Sequence, residues 1–171
     1  MPFLLRAIRK NRWYEKPAEP FLASGDVPAD PLADLRTDGN CLSVFCIDED
    51  KANLERVLAA YASNRDIIAN LDYALIDAQL LEKIGITCIK TVGQLPDQAV
   101  NNSWHRDLTG LSGLNLVALA KEILTKGEKL RVSQPRVVEL IRTAVDSGHL
   151  DANRITPGIR EKIKAGKAEA S

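Results

Sequence analysis

Between Leu42 and Tyr61 the apolar period changes from that of a strand to that of a helix, and this switch constrains the fold more than any other feature. Leu42 to Asp48 is rich in Val, Phe and Ile and is stopped by Asp48-Glu49-Asp50, which reads as an extended segment. Directly afterwards Leu54, Val57, Leu58 and Tyr61 fall at i, i+3, i+4 and i+7, the buried stripe of an α-helix. A strand that runs straight into an amphipathic helix predicts an α+β fold.

Other segments extend this pattern. Phe3 to Tyr14 fits a strand or a short helix, and both readings stay open. Ile86 to Val92 carries β-branched residues up to Gly93 and reads as a strand whose Cys88 thiol is buried and inert. Leu71 to Ile76 fits a strand with Asp77 capping a helix over 78–84; a single helix over 65–84 is the alternative. Asp97 is placed to cap a helix bearing Val100, Trp104 and Leu108. Ser112 or Gly113 opens a helix with Leu116, Leu119, Ala120 and Ile123 on one face. Ser133 with Pro135 opens another, carrying Val137, Val138, Ile141, Ala144 and Val145 and closed by Gly148. Thr156-Pro157 starts a last short helix. The expectation is a small sheet in the N-terminal half packed with helices, then a helical C-terminal part. The stripes of Leu54, Val57, Leu58, Trp104, Leu116, Leu119, Ile123, Val138 and Ile141 are expected to share one core.

The chain has 171 residues, 45% of them hydrophobic and 27% charged, enough for one real core and a squeeze for two. A single domain over 1–171 follows, with 165–171 expected to fray. Residues 17–40 hold four of the eight prolines and five acids, and are expected to form a long irregular loop. The formal net charge is zero but unevenly spread: +4 over 1–16, −6 over 17–52, −2 over 53–120 and +4 over 121–171. An acidic loop at Asp26, Asp30, Asp34 and Asp38 suits a partner-facing surface. The competing account lays it against the basic segment Arg6 to Lys16 of the same molecule.

Three cysteines without a C-x-x-C pair, no signal-peptide pattern and no apolar run of spanning length suit a cytoplasmic chain outside the membrane. No metal-ligand spacing, phosphate loop or dinucleotide fingerprint is present, so no cofactor and no metal is expected. Asp48, Glu49 and Lys51 at a strand's end are the candidate catalytic residues, because carboxylates there can hold Mg²⁺ beside a lysine. Helix capping by Asp48 or Asp50 accounts for the same residues. Asn101 and His105, four apart on the expected helix, form a polar ledge able to bind a partner. Arg6, Arg9, Lys10, Arg12, Trp13 and Tyr14 mix bases with aromatics, as a phosphate-tracking surface would. These features favour a non-enzymatic binding or accessory module whose partner is another protein. The alternatives are a metal-dependent nucleic-acid hydrolase using the 48–51 cluster and a DNA-binding regulator acting through a trihelical C-terminal unit.

Overall fold

The computed structural model describes residues 3–13 and 18–168. Six strands form one antiparallel sheet: β1 (Phe3–Ile8), β2 (Leu42–Ile47), β3 (Leu71–Asp77), β4 (Thr87–Lys90), β5 (His105–Thr109) and β6 (Glu128–Val132), in the order β4-β5-β2-β1-β3-β6. With eight α-helices among the described residues, the fold is α+β. These are α1 (Lys10–Trp13), α2 (Glu19–Ala23), α3 (Ala29–Asp34), α4 (Leu54–Ser63), α5 (Ala78–Lys83), α6 (Gly113–Thr125), α7 (Gln134–Asp146) and α8 (Pro157–Ala168).

Both faces of the sheet are covered, and side-chain alternation along the strands divides the interior in two. On one face Leu4, Val44, Ala74, Ile76 and Leu108 meet Leu119, Ala120 and Ile123 of α6. On the other, Leu5, Phe45, Ile47, Tyr73 and Leu75 meet Val57 and Leu58 of α4 and Ile141 of α7. This explains why every residue from Leu71 to Ile76 is buried: a central strand covered on both sides has no solvated face. The expected single core is therefore corrected to two, with Leu119 and Ile123 on the far side of the sheet from Val57, Leu58 and Ile141.

Several local expectations hold. Residues 71–84 are strand plus helix, and the Asp77 carboxylate accepts from Gln79 N at 2.9 Å. Ser112 and Asn115 form a reciprocal capping box at the start of α6. Gly148 follows α7 with φ +71°, a conformation that costs an L side chain a clash and glycine nothing.

Other expectations change. Residues 3–14 are strand then helix through Trp13, and Tyr14 lies outside the described residues. Residues 18–40 are not an irregular loop: α2 and α3 form within them, and α2 takes Pro20 in its first turn, where the missing N–H has no partner to lose; Pro17 lies outside the described residues. Asp97 does cap a helical turn over 98–104, but the turn widens to π geometry and ends at Trp104. Leu108 sits in β5 opposite Leu42, because pairing with β2 outweighs the four-residue spacing. Strand β6 was hidden in a charged stretch, and it separates α6 from α7. Those two helices pack on opposite faces, so the trihelical DNA-binding unit does not exist. Cys88 is exposed rather than buried, since β4 is an edge strand with no residue covered. Of the expected frayed tail, 165–168 belong to α8 and 169–171 lie outside the described residues. No helix among the described residues is long and apolar enough to cross a membrane.

Candidate functional site

The sheet is two three-stranded halves joined by a short seam. β1 pairs with β3 from Phe3↔Asp77 to Ile8↔Asp72, but with β2 only from Phe3↔Ile47 to Leu5↔Phe45. Beyond Leu5 the two central strands part, while β2 continues along β5 to Leu42↔Leu108. Arg6 stands in the opening and donates from Nη1 to the Ser43 carbonyl at 2.9 Å, where a ladder bond would otherwise lie. Its Nε is buried without a hydrogen-bond partner among the described residues. Burial pulls the Arg6 guanidinium down from the ordinary arginine range, with Tyr61 and Asp34 pulling it up. A buried donor with no acceptor is costly.

Two compartments open at the seam and share Arg6, Ala7 and Tyr61. The inner one, about 400 Å³, is floored by the cross-strand pairs Ser43↔Asp107 and Phe45↔His105. One wall is Tyr61 and Asn64 at the end of α4; the other is the segment Val92–Leu95. The outer compartment, about 220 Å³, is lined by Arg6, Arg9, Arg36 and Arg65 against one described acid, Asp34. That acid is already spent: its Oδ2 accepts from Arg9 N at 2.7 Å and from Trp13 Nε1 at 2.8 Å, and Arg9 Nε lies 3.5 Å from Oδ1. Arg65 lies over the Tyr61 ring, 5.4 Å from its centre, and Arg36 is exposed. Beyond Arg9 and Arg65 the cationic strip runs on to Asn70 and Arg131, whose guanidinium is held bidentately by Asp72. A chain neutral overall thus gathers an excess of positive charge at one end of its sheet.

The inner compartment is built by a set of unlike devices. Asp97 is 1% exposed and gripped by Arg56 through Nε to Oδ2 at 2.6 Å and Nη2 to Oδ1 at 3.1 Å. Burial pushes its carboxyl up, but the Arg56 hydrogen bonds and the Val100 and Ala99 N–H groups win and hold it below the ordinary carboxylate range. Asn101 spends its amide on the same wall, accepting from Leu95 N at 2.8 Å and donating to Leu95 O at 2.6 Å. Gly93 is required by close approach: a Cβ there would stand 2.7 Å from Asn101 Oδ1 and 3.1 Å from His105 Cδ2. His105 packs edge-on to Phe45 and places Nδ1 2.8 Å from Thr91 Oγ1 and Nε2 4.0 Å from Asp107 Oδ1. The carboxylate near Nε2 favours the proton there, leaving Nδ1 to accept from Thr91. Ser43 Oγ donates to Asp107 Oδ1 at 3.1 Å. The order Ser–Asp–His is wrong for a nucleophile activated by histidine, which would need the serine hydroxyl on the imidazole.

The residues singled out in the sequence fare unevenly. His105 lines the inner compartment. Asn101 does not form a ligand-facing ledge with it, since it is 6% exposed and both its amide groups are committed to Leu95. Asp34 is not on a partner-facing surface: it is buried, and it joins the acidic segment to Arg9 and Trp13 as the intramolecular account required. Trp13, 4% exposed, is likewise no stacking platform. Asp26 is exposed and its carboxylate accepts from Val27 N, Asp30 is half-buried, and Asp38 is exposed beside a backbone bridge to Cys41. Asp48, Glu49 and Asp50 lie exposed in a turn, and Lys51 reaches away from them to Glu128 on β6 at 3.0 Å. Neither Asp48 nor Asp50 caps α4; Asn53 precedes it and ties the turn to the strand, accepting from Asp48 N and donating to Cys46 O. Among the described residues no group of three His, Cys, Asp or Glu side chains is spaced to hold a metal ion.

Asn64, Arg36, Arg65, Ser43 and Asp107 carry no site signal in the sequence, and Tyr61 reads there only as part of a buried helical stripe. Arg6 and Arg9 carried a usable signal, as basic residues close together near the N-terminus, and His105 carried one beside Trp104. Comparison with known protein families, with characterised proteins and with solved structures finds no match to this chain.

Proposed function

We propose that this protein is a non-enzymatic binding module that takes a phosphate-bearing partner where β1 and β2 part. The observation that carries this reading is the outer compartment, which Arg6, Arg36 and Arg65 line while the acid beside them, Asp34, is already engaged by Arg9 and Trp13. Guanidinium groups match phosphate oxygens by shape as well as charge. The partner is thus anionic, opposite in sign to the basic one an acidic 17–40 loop would attract. A binding role rather than catalysis is supported by Ser43 donating to Asp107 instead of to His105.

Titration with inorganic phosphate, followed by calorimetry and by the thermal midpoint, tests the reading. Phosphate is expected to bind and to raise the midpoint, weakening as salt rises. Arg36→Gln, at an exposed position, is expected to weaken binding several-fold while leaving the midpoint of the free protein unchanged. Absence of phosphate binding in the wild type sinks the proposal.

A further inference from the structure

The inner compartment differs in character from the arginine-lined one beside it. It is larger, about 400 Å³ against 220 Å³, and a phosphate group seated among the arginines leaves it empty. Its lining is mixed. Leu5, Phe45, Val92 and Leu95 supply apolar surface, while Asp107 supplies an anionic acceptor, 22% exposed, whose donor Ser43 Oγ is on the floor of the cleft. An apolar wall with one carboxylate suits a flat heteroaromatic ring carrying N–H groups. A polyol would need a hydrogen-bond partner at nearly every carbon and would leave the wall unused. A second phosphate is disfavoured by like charge against Asp107. The compartments share Arg6, Ala7 and Tyr61, so they lie side by side.

Building on the proposed phosphate site, we infer that the ligand is a nucleotide: its phosphate among Arg6, Arg36 and Arg65, its base in the inner compartment with N–H donors on Asp107. Guanine is the best-matched base, because its ring N–H and amino group present two parallel donors to the two oxygens of a carboxylate. His105 holds the floor beside it, fixed by Thr91 and Phe45. The same chemistry is offered by a free nucleotide and by the terminal nucleotide of a single strand.

The probes are inorganic phosphate, guanosine monophosphate and a ten-nucleotide single-stranded RNA ending in guanosine 5′-phosphate. The nucleotide is expected to bind at least about tenfold more tightly than phosphate, a margin of about 1.4 kcal/mol. Asp107→Asn is expected to remove most of that margin and leave phosphate affinity within about twofold; Arg36→Gln weakens both. In wild-type protein, backbone amide shifts at Val92, Gly93 and Asp107 should move with the nucleotide and not with phosphate, which guards against a variant that folds poorly. Equal binding of the free nucleotide and the RNA identifies a free nucleotide as the source, and tighter binding of the RNA identifies a strand end. Phosphate binding without a nucleotide margin, or a margin that survives Asp107→Asn with silent amides at 92, 93 and 107, overturns the inference while leaving the phosphate site standing. Loss of phosphate binding altogether removes both.

Discussion

The wall of the inner compartment depends on one buried carboxylate, and removing it should be costly in a way that depends on pH. Asp97 closes a bidentate pair with Arg56, whose side chain is 27% exposed, and also accepts from Ala99 N and Val100 N at the start of the 98–104 turn. Breaking a buried ion pair from one side costs about 3–5 kcal/mol, and loss of a cap about 1 kcal/mol. Because Arg56 keeps some contact with water and with the Trp104 ring, 5.7 Å away, Asp97→Ala should fall near the lower end, at about 3 kcal/mol. Asp97→Asn keeps an acceptor for the cap but loses the charge and turns an amide NH2 toward the Arg56 Nε–H, so about 2 kcal/mol is expected. Urea denaturation followed by tryptophan fluorescence measures both. A cycle with Arg56→Met should show coupling above about 1 kcal/mol, since the residues touch. The sign with pH follows from the depressed folded pKa of Asp97. Its contribution is fully present above the ordinary carboxylate range and is lost as pH falls through the folded value, so the gap between wild type and Asp97→Asn should close on acidification. A gap that stays constant with pH, or a coupling under about 0.5 kcal/mol, refutes the assignment of this pair as the anchor of the wall.

Three further outcomes are expected. Gly93→Ala should cost about 1–3 kcal/mol in denaturation experiments and shift the His105 ring resonances, because Asn101 is tied at both ends and cannot move aside for the new methyl. Leu58→Ala and Leu119→Ala should each cost about 2–5 kcal/mol and add in the double variant, since the sheet lies between them; strong non-additivity would argue against two separate cores. Asp34→Asn should destabilise by about 1–3 kcal/mol through its bonds to Arg9 and Trp13, while Asp26→Asn with Asp38→Asn should stay within about 0.5 kcal/mol; equal costs would restore the reading of 17–40 as one exposed acidic surface.

Sequence alone determined those elements whose signal is local. The β2-to-α4 switch, the Asp77 cap, the helix start at Ser112 or Gly113 and the Gly148 stop are each written within a few residues, because side-chain period and end-group hydrogen bonding act over one or two turns. Tertiary structure alone decided the rest. β6, a charged pentapeptide, is a strand because β3 offers it a ladder, and Leu108 left the helical pattern for the same reason. The cleft was less legible still. Arg6, Arg36 and Arg65 line one compartment only because the seam between β1 and β2 ends at Leu5, and Asp107 faces Ser43 only through strand register. Strand pairing couples residues tens of positions apart through backbone groups that every residue carries, so it leaves little trace in side-chain pattern.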